Sequence, residues 1–213
     1  MSEELNQATQ NLALDEKTQS AGSTVITDNQ KPEYKHPLNS GWTLWYTKPQ
    51  ADKSESWSDL LKPIITFHSV EEFWGIYNSI PQPSELPLKA DYHLFREGIK
   101  PEWEDVANSN GGKFNYAFQD RKNTSLNDIW LRACLALIGE TIQDDEEEVN
   151  GIVVSIRSFA YKVALWTKST QKVKLFPIGE KFKKVLTLPD SELIEFFDHK
   201  DSDTRGAKPV MMI

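Results

Sequence analysis

From residue 36 onward, apolar and polar residues alternate in a series of short runs. In "HPLNSGWTLWYTKP", Trp42, Leu44 and Tyr46 alternate with Thr43, Trp45 and Thr47 until Pro49 stops the run, which is the two-residue period of a β-strand. The same period recurs at "DYHLFR" (91–96), "GKFNYAFQD" (112–120), "GIVVSIRS" (151–158), "YKVALWTK" (161–168) and "LIEFF" (193–197). Many short strands with few long crossovers predict an antiparallel sheet.

Three segments keep a helical period instead. "SVEEFWGIYNSI" opens with Ser69 and Glu72 at capping-box spacing; Phe73, Ile76, Tyr77 and Ile80 form its core stripe, with Val70 and Trp74 on one flank. "SLNDIWLRACLALIGETI" repeats the cap with Ser125 and Asp128, and Leu126, Ile129, Trp130, Ala133, Cys134, Leu137 and Ile138 complete a stripe that leaves Leu131 and Leu135 outside it. "PIGEKFKKVLTL" predicts a third helix with Ile178, Phe182, Val185 and Leu186 inward. Between the strands at 91–96 and 112–120, Asn110-Gly111-Gly112 reads as a hairpin turn. The expected fold is α+β, a single antiparallel sheet with helices on one face.

Composition sets the boundaries. With 213 residues, 38% hydrophobic and 26% charged, the chain supports one sizeable core. Residues 1–35 are polar, with no aromatic before Tyr34, and are expected to be a disordered tail ahead of one folded domain at 36–213. No apolar run approaches a bilayer span and no signal core opens the chain, so a soluble intracellular protein with no membrane partner is expected. A single cysteine, Cys134, agrees with a reducing compartment.

The net charge of -8 argues against gripping long nucleic acid by backbone charge. It conceals a split, since Gly151 to Leu188 carries eight lysines and arginines against Glu180 alone. That block suits a compact anion such as a short phosphate chain.

Most catalytic chemistry fails on spacing. His36, His68, His93 and His199 are scattered without partner ligands, so no metal or cofactor is expected. "NSNGGKF" lacks the spacing and the hydroxyl residue of a phosphate-binding P-loop, and "DDEEE" (144–148) lacks the pattern of a calcium loop. Glu102, Glu104 and Asp105 are too close along one segment to flank a scissile glycosidic bond.

The tryptophans carry more. Trp57 in "DKSESWSDLL" and Trp103 in "PEWED" lie in polar, loop-like stretches with few apolar neighbours, where an aromatic ring serves as a stacking platform. Period two places Lys162, Ala164 and Trp166 on one strand face, with about 13 Å between lysine and indole, and Arg157 joins Lys162 from the preceding strand. A flat cation between Trp57 and Trp103, its edge bonded to Glu104 and its phosphates on Arg157 and Lys162, would use all of these groups. A guanine methylated at N7 and carrying a triphosphate, as in the mRNA cap, meets each condition.

On these motifs the chain resembles the eukaryotic translation initiation factor 4E family of mRNA cap-binding proteins, in its fungal form, over residues 36–213. The matching stretches are "HPLNSGWTLWYTK", "SESWSDLL", "VEEFWGIYNSI", "DYHLFREGIKPEWED", "NGGKF", "IWLRACLALIGE", "NGIVVSIR" and "YKVALWTK". The resemblance implies a single curved antiparallel sheet with three helices on its convex face and the cap in a concave slot. It implies stacking by Trp57 and Trp103, guanine recognition by Glu104, a methyl-side contact from Trp166, and phosphate contacts from Arg157 and Lys162.

The resemblance also implies a surface for a helix bearing a Tyr-x-x-x-x-Leu-apolar motif, as on the scaffold initiation factor 4G and the inhibitory 4E-binding proteins. Its matching positions are His36, Pro37, Val70, Trp74, Leu131, Leu135, Gly139 and Glu140, and the surplus Leu131 and Leu135 fit such a groove. Arg132, Phe114 and Ser155 stand where many members have Glu, Trp and Asn, and Arg205 is a further phosphate-contact candidate. The function implied is non-catalytic: a cytoplasmic factor, with a possible nuclear pool and monomeric on its own, that binds capped mRNA and recruits 4G to start translation. The competing readings are a cap-binding repressor paralogue and, in another class, a nucleotide phosphohydrolase.

Overall fold

A computed structural model of the protein describes residues 35–52, 54–144, 147–201 and 206–213. The expected tail lies outside these residues except for Lys35, and Arg205 and part of "DDEEE" also fall outside them. Alternation along the chain resolves into strands β1 (Pro37–Thr47), β2 (Leu61–Ser69), β3 (Asp91–Arg96), β4 (Gly112–Phe118), β5 (Val149–Ile156), β6 (Tyr161–Thr167), β7 (Glu195–Asp198) and β8 (Met211–Met212). They form a single curved eight-stranded sheet in the order β2-β1-β3-β5-β6-β4-β7-β8, antiparallel at every pairing.

Helices α1 (Trp57–Leu60), α2 (Val70–Tyr77), α3 (Leu126–Ile138) and α4 (Lys172–Val185) complete the described α-helices. One face of the sheet, with Trp42, Leu44, Leu94, Ile152, Val154, Val163, Leu165, Phe114 and Phe196, packs against Phe73 of α2, the whole predicted stripe of α3, and Leu175, Ile178 and Phe182 of α4. Each such buried side chain contributes about 1.5–3 kcal/mol of transfer free energy, so this face holds the fold together.

The cap of α2 forms, but with a changed partner. Ser69 accepts from the Glu72 N–H, whereas the Glu72 carboxylate reaches one residue further back, to the N–H of His68 (2.8 Å). The cap predicted at Ser125 is absent: its ψ of 71° takes it out of the extended conformation a capping side chain needs, and it makes no side-chain cap bond. Helix α4 starts at Lys172, ahead of Pro177, because Val173 and Pro177 both face solvent and water can serve the carbonyl that proline leaves unpaired.

One further reading needs correction, and one strand has no signal in the sequence pattern. Asn110-Gly111-Gly112 is not a hairpin turn, since β3 pairs with β1 and β5 while β4 pairs with β6 and β7. The glycines serve close approach instead: a Cβ on Gly111 would lie 1.8 Å from the Thr167 carbonyl oxygen. Strand β2 escapes the alternation pattern because it is an edge strand, paired only with β1, bearing Pro63 and a register shift opposite Leu44 and Trp45.

At the end of α3 a partly buried ion pair ties the helix to the sheet. Glu140, in the left-handed region at φ 53°, pairs with Arg96 at 2.9 Å and accepts from Ser40 and Asn39 at 2.7 Å each. Arg96 also donates to the Val149 carbonyl and lies over the Trp42 ring.

Candidate functional site

The face of the sheet turned away from the helices is organised in rows by strand register. One row reads Thr43, Phe95, Gly151, Trp166, Lys113, Phe197; the next Trp45, His93, Val153, Ala164, Asn115, Glu195; the third Thr47, Asp91, Ser155, Lys162, Ala117. The first row holds three aromatic residues, Phe95, Trp166 and Phe197, and the third is mostly polar and charged. Gly151 makes the aromatic row possible: a Cβ there would lie 2.4 Å from the Phe95 ring, which instead meets Trp166 edge-on at 5.4 Å between ring centres.

Over these rows lies a cavity of about 940 Å³, lined among others by Trp57, Trp103, Glu104, Lys113, Arg157, Lys162 and Trp166. All six residues predicted to meet a ligand therefore share one cavity. Trp57 and Trp103 are 46% and 40% exposed, a large apolar area left open to solvent, one where a loop opens α1 and one on the loop after β3.

Each loop is fixed by polar bonds. The segment after β3 folds around Asp105, whose carboxylate accepts from the N–H groups of Lys100 and Ala107, and around the fully buried Asn108, whose amide donates to the carbonyls of Lys100 and Glu102. Asn150 on β5 locks this hub to the sheet through Ala107 and Asn108. These bonds resolve the three anions of "PEWED". Asp105 builds the loop, Glu102 contributes its backbone carbonyl, and Glu104 is exposed with no hydrogen bond to the described residues.

Trp57 is the first residue of α1, where Ser56 and Asp59 form a reciprocal capping box. Ahead of it, Glu55 accepts from Lys48 and from the N–H groups of Ala51 and Asp52, and these bonds, Lys48 first, hold its carboxyl down to about 2.

The cationic end is equally preset. Arg157 follows β5, pairs with Asp91 at 2.8 Å and donates to the carbonyls of Ala90 and Ile156. Burial pushes the Asp91 carboxyl up, against the pull of Arg157. Burial, with Arg157 adding to it, drives the His93 imidazole down to about 3, so His93 stays neutral at physiological pH and bonds Thr47 at 2.7 Å. Trp166 is held from behind by His199 (ring centres 4.1 Å apart), and the Lys113 ammonium lies 5.7 Å from its ring centre.

Residues 37–211 match the sequence model of the family described as Eukaryotic initiation factor 4E. The eukaryotic translation initiation factor 4E of Candida albicans is 58% identical, covering 100% of each chain. The chain belongs to the eukaryotic initiation factor 4E family. Among solved structures, Ascaris suum eIF4E-3 in complex with an m2,2,7G cap is 40% identical with a TM-score of 0.78, covering 84% of this chain and 99% of that one. Caenorhabditis elegans eIF4E-3 in complex with the 4E-binding protein Mextli and a cap analogue is 37% identical with a TM-score of 0.76, covering 84% and 100%. The 4E family consists of initiation factors, not enzymes.

Sequence reasoning about this 4E-family chain missed Lys113, which it set aside with the failed P-loop, and it missed Asp91 and His93. The available signal was period two from Gly112, which places Lys113, Asn115 and Ala117 on one face.

The residues expected to meet a partner helix lie on the helix-bearing side. Trp74 and Leu135 are 36% and 38% exposed, Val70 and Gly139 are also exposed, and Leu131 is partly buried against the core. Trp74 contacts Phe73 and Tyr77 edge-on, with ring centres 5.2 and 5.9 Å apart, so its position is inherited from the core. His36 and Pro37 lie along the start of α2, where Glu71 accepts from the His36 N–H and the Val70 N–H donates to the His36 carbonyl. Glu140 is engaged by Arg96 within the fold. Arg132 donates to the Val185 carbonyl and Thr187 hydroxyl.

Proposed function

We propose that this protein binds the 7-methylguanosine cap of mRNA and recruits the scaffold initiation factor 4G to start cap-dependent translation in the cytoplasm. The observation that carries the reading is a cavity that unites two exposed indoles, the exposed Glu104 carboxylate, which makes no hydrogen bond among the described residues, and a cluster of cations. A guanine alkylated at N7 is a flat cation with two N–H donors on its Watson–Crick edge. Trp57 and Trp103 are disposed to stack on its faces, Glu104 to accept from its edge, and Trp166 to meet the methyl side. Arg157, Lys162 and Lys113 supply positive charge for the triphosphate.

The neighbours crystallised with cap and with a 4E-binding protein support both halves of this reading. Val70, Trp74, Leu131 and Leu135 are suited to the apolar side of a partner helix, with His36, Pro37, Gly139 and Glu140 around them. Retention on immobilised 7-methyl-GTP, with release by free cap analogue but not by GTP, is the test. Equal affinity for GTP and 7-methyl-GTP would reject the electrostatic basis of the site.

A further inference from the structure

Phe159 at the tip of the turn between β5 and β6 is 85% exposed, more than any tryptophan of the slot. We propose that it is a stacking platform for the first bases of the RNA that follows the cap, an extension resting on the cap-binding reading above. The turn is closed by the Arg157 N–H donating to the Ala160 carbonyl, so Phe159 stands between Arg157 and Lys162 in the chain, at the end of the sheet where the slot floor is cationic. A triphosphate on those two residues delivers the next nucleoside to this turn.

Two further observations fix the direction. Arg121 donates to the Ser158 carbonyl (3.1 Å) and lies over the Tyr161 ring (4.7 Å), so a second guanidinium, followed in sequence by Lys122, borders the turn. The β7 side of the cavity carries Glu195 and Asp201, whose charges repel a phosphodiester chain and offset Lys113, the β4 residue paired with Phe197 of β7. An aromatic ring beside a basic track is the combination by which single-stranded nucleic acid is held without sequence readout. Trp57 and Trp103 bracket a single base, whereas Phe159 offers one open face to whichever base comes next.

The experiment titrates 7-methyl-GTP and a capped pentanucleotide into wild type, Phe159→Ala and Phe159→Tyr, with 2-aminopurine at the first transcribed position as a stacking reporter. Wild type is expected to bind the capped pentanucleotide more tightly than 7-methyl-GTP and to quench the reporter. Phe159→Ala should lose about fivefold or more of the pentanucleotide affinity and the quenching, with 7-methyl-GTP affinity and melting temperature unchanged; Phe159→Tyr should retain both. Unchanged pentanucleotide binding by Phe159→Ala overturns the proposal, as does an equal loss for both ligands, or weakened binding of a protein partner alone. If wild type fails to bind 7-methyl-GTP at all, the cap reading falls first and this one with it.

Discussion

Trp103 on the slot face and Trp74 on the helix face have similar exposure, 40% and 36%, yet are positioned by different forces. Behind Trp103 stand hydrogen bonds, those of Asp105, Asn108 and Asn150. Behind Trp74 stand rings, Phe73 and Tyr77, which are continuous with the main core. A loop site built from polar bonds can display a ring with few apolar neighbours, but any lost bond loosens it. A helix site gains rigidity from packing, and its outward residues can change with little cost to the fold. The two faces should therefore respond independently to ligand-contact substitutions and differently to substitutions behind them.

The largest separation is expected from the slot. Trp57→Ala or Trp103→Ala should reduce affinity for 7-methyl-GTP by about 3 kcal/mol, measured by fluorescence titration, because each removes one face of the proposed stack on a cationic base. Circular dichroism should remain native and a Tyr-x-x-x-x-Leu-apolar peptide should bind as before. The converse is expected of Trp74→Ala: about 2 kcal/mol lost for that peptide by calorimetry, the size of an aromatic hot spot, with cap affinity unchanged. A collapsed melting temperature together with lost cap binding would instead make Trp74 part of the core.

Behind the rings the asymmetry should appear in stability. Asn108→Ala takes from the carbonyls of Lys100 and Glu102 the donor that the fully buried Asn108 supplies, a loss of about 1–3 kcal/mol. Its melting temperature should fall, and cap affinity should fall with it even well below that temperature, since the loop that bears Trp103 and Glu104 loses its hub. Peptide binding on the helix face should persist.

The sequence made much of this visible, for reasons that can be traced to particular residues. Trp57 and Trp103 were legible because a large indole in a polar stretch is anomalous on its own. The α3 stripe was legible because all of its members are local and all are buried. Lys113 was not, because its place beside Trp166 follows from the pairing of β4 with β6, two strands separated in the chain by α3 and β5. The false hairpin at Asn110-Gly111-Gly112 has the same origin: the residues are right for a turn, but the backbone they must admit belongs to Thr167, far away in sequence. Strand β2 was hidden by its edge position, where Ile64 and Ile65 are both exposed and Pro63 interrupts the alternation.

The smallest effect concerns a device that both faces share. Glu55 beside Trp57 captures two backbone N–H groups and Lys48, Glu72 beside Trp74 captures one and Lys35, and in each the lysine bond is the first cause that lowers the carboxyl from 4.5 to about 2. A depressed carboxyl contributes stability that is fully present above the unfolded value of 4.5 and is lost as pH falls through about 2. The amide protons of Ala51 and Asp52, which donate to Glu55, and of His68, which donates to Glu72, should therefore shift with midpoints near 2 in an acid NMR titration. Glu55→Gln should abolish the first transition and Glu72→Gln the second. What lies behind the carboxylates differs: α2 keeps its Ser69 cap and its buried Phe73, whereas α1 is a single turn that buries only Leu60. At neutral pH, Glu55→Gln should therefore weaken cap binding, by about threefold at most for a surface ion pair, while Glu72→Gln leaves peptide binding at wild-type strength. Equal sensitivity of the two ligands to the two substitutions would mean that Trp74, like Trp57, depends on its polar surroundings.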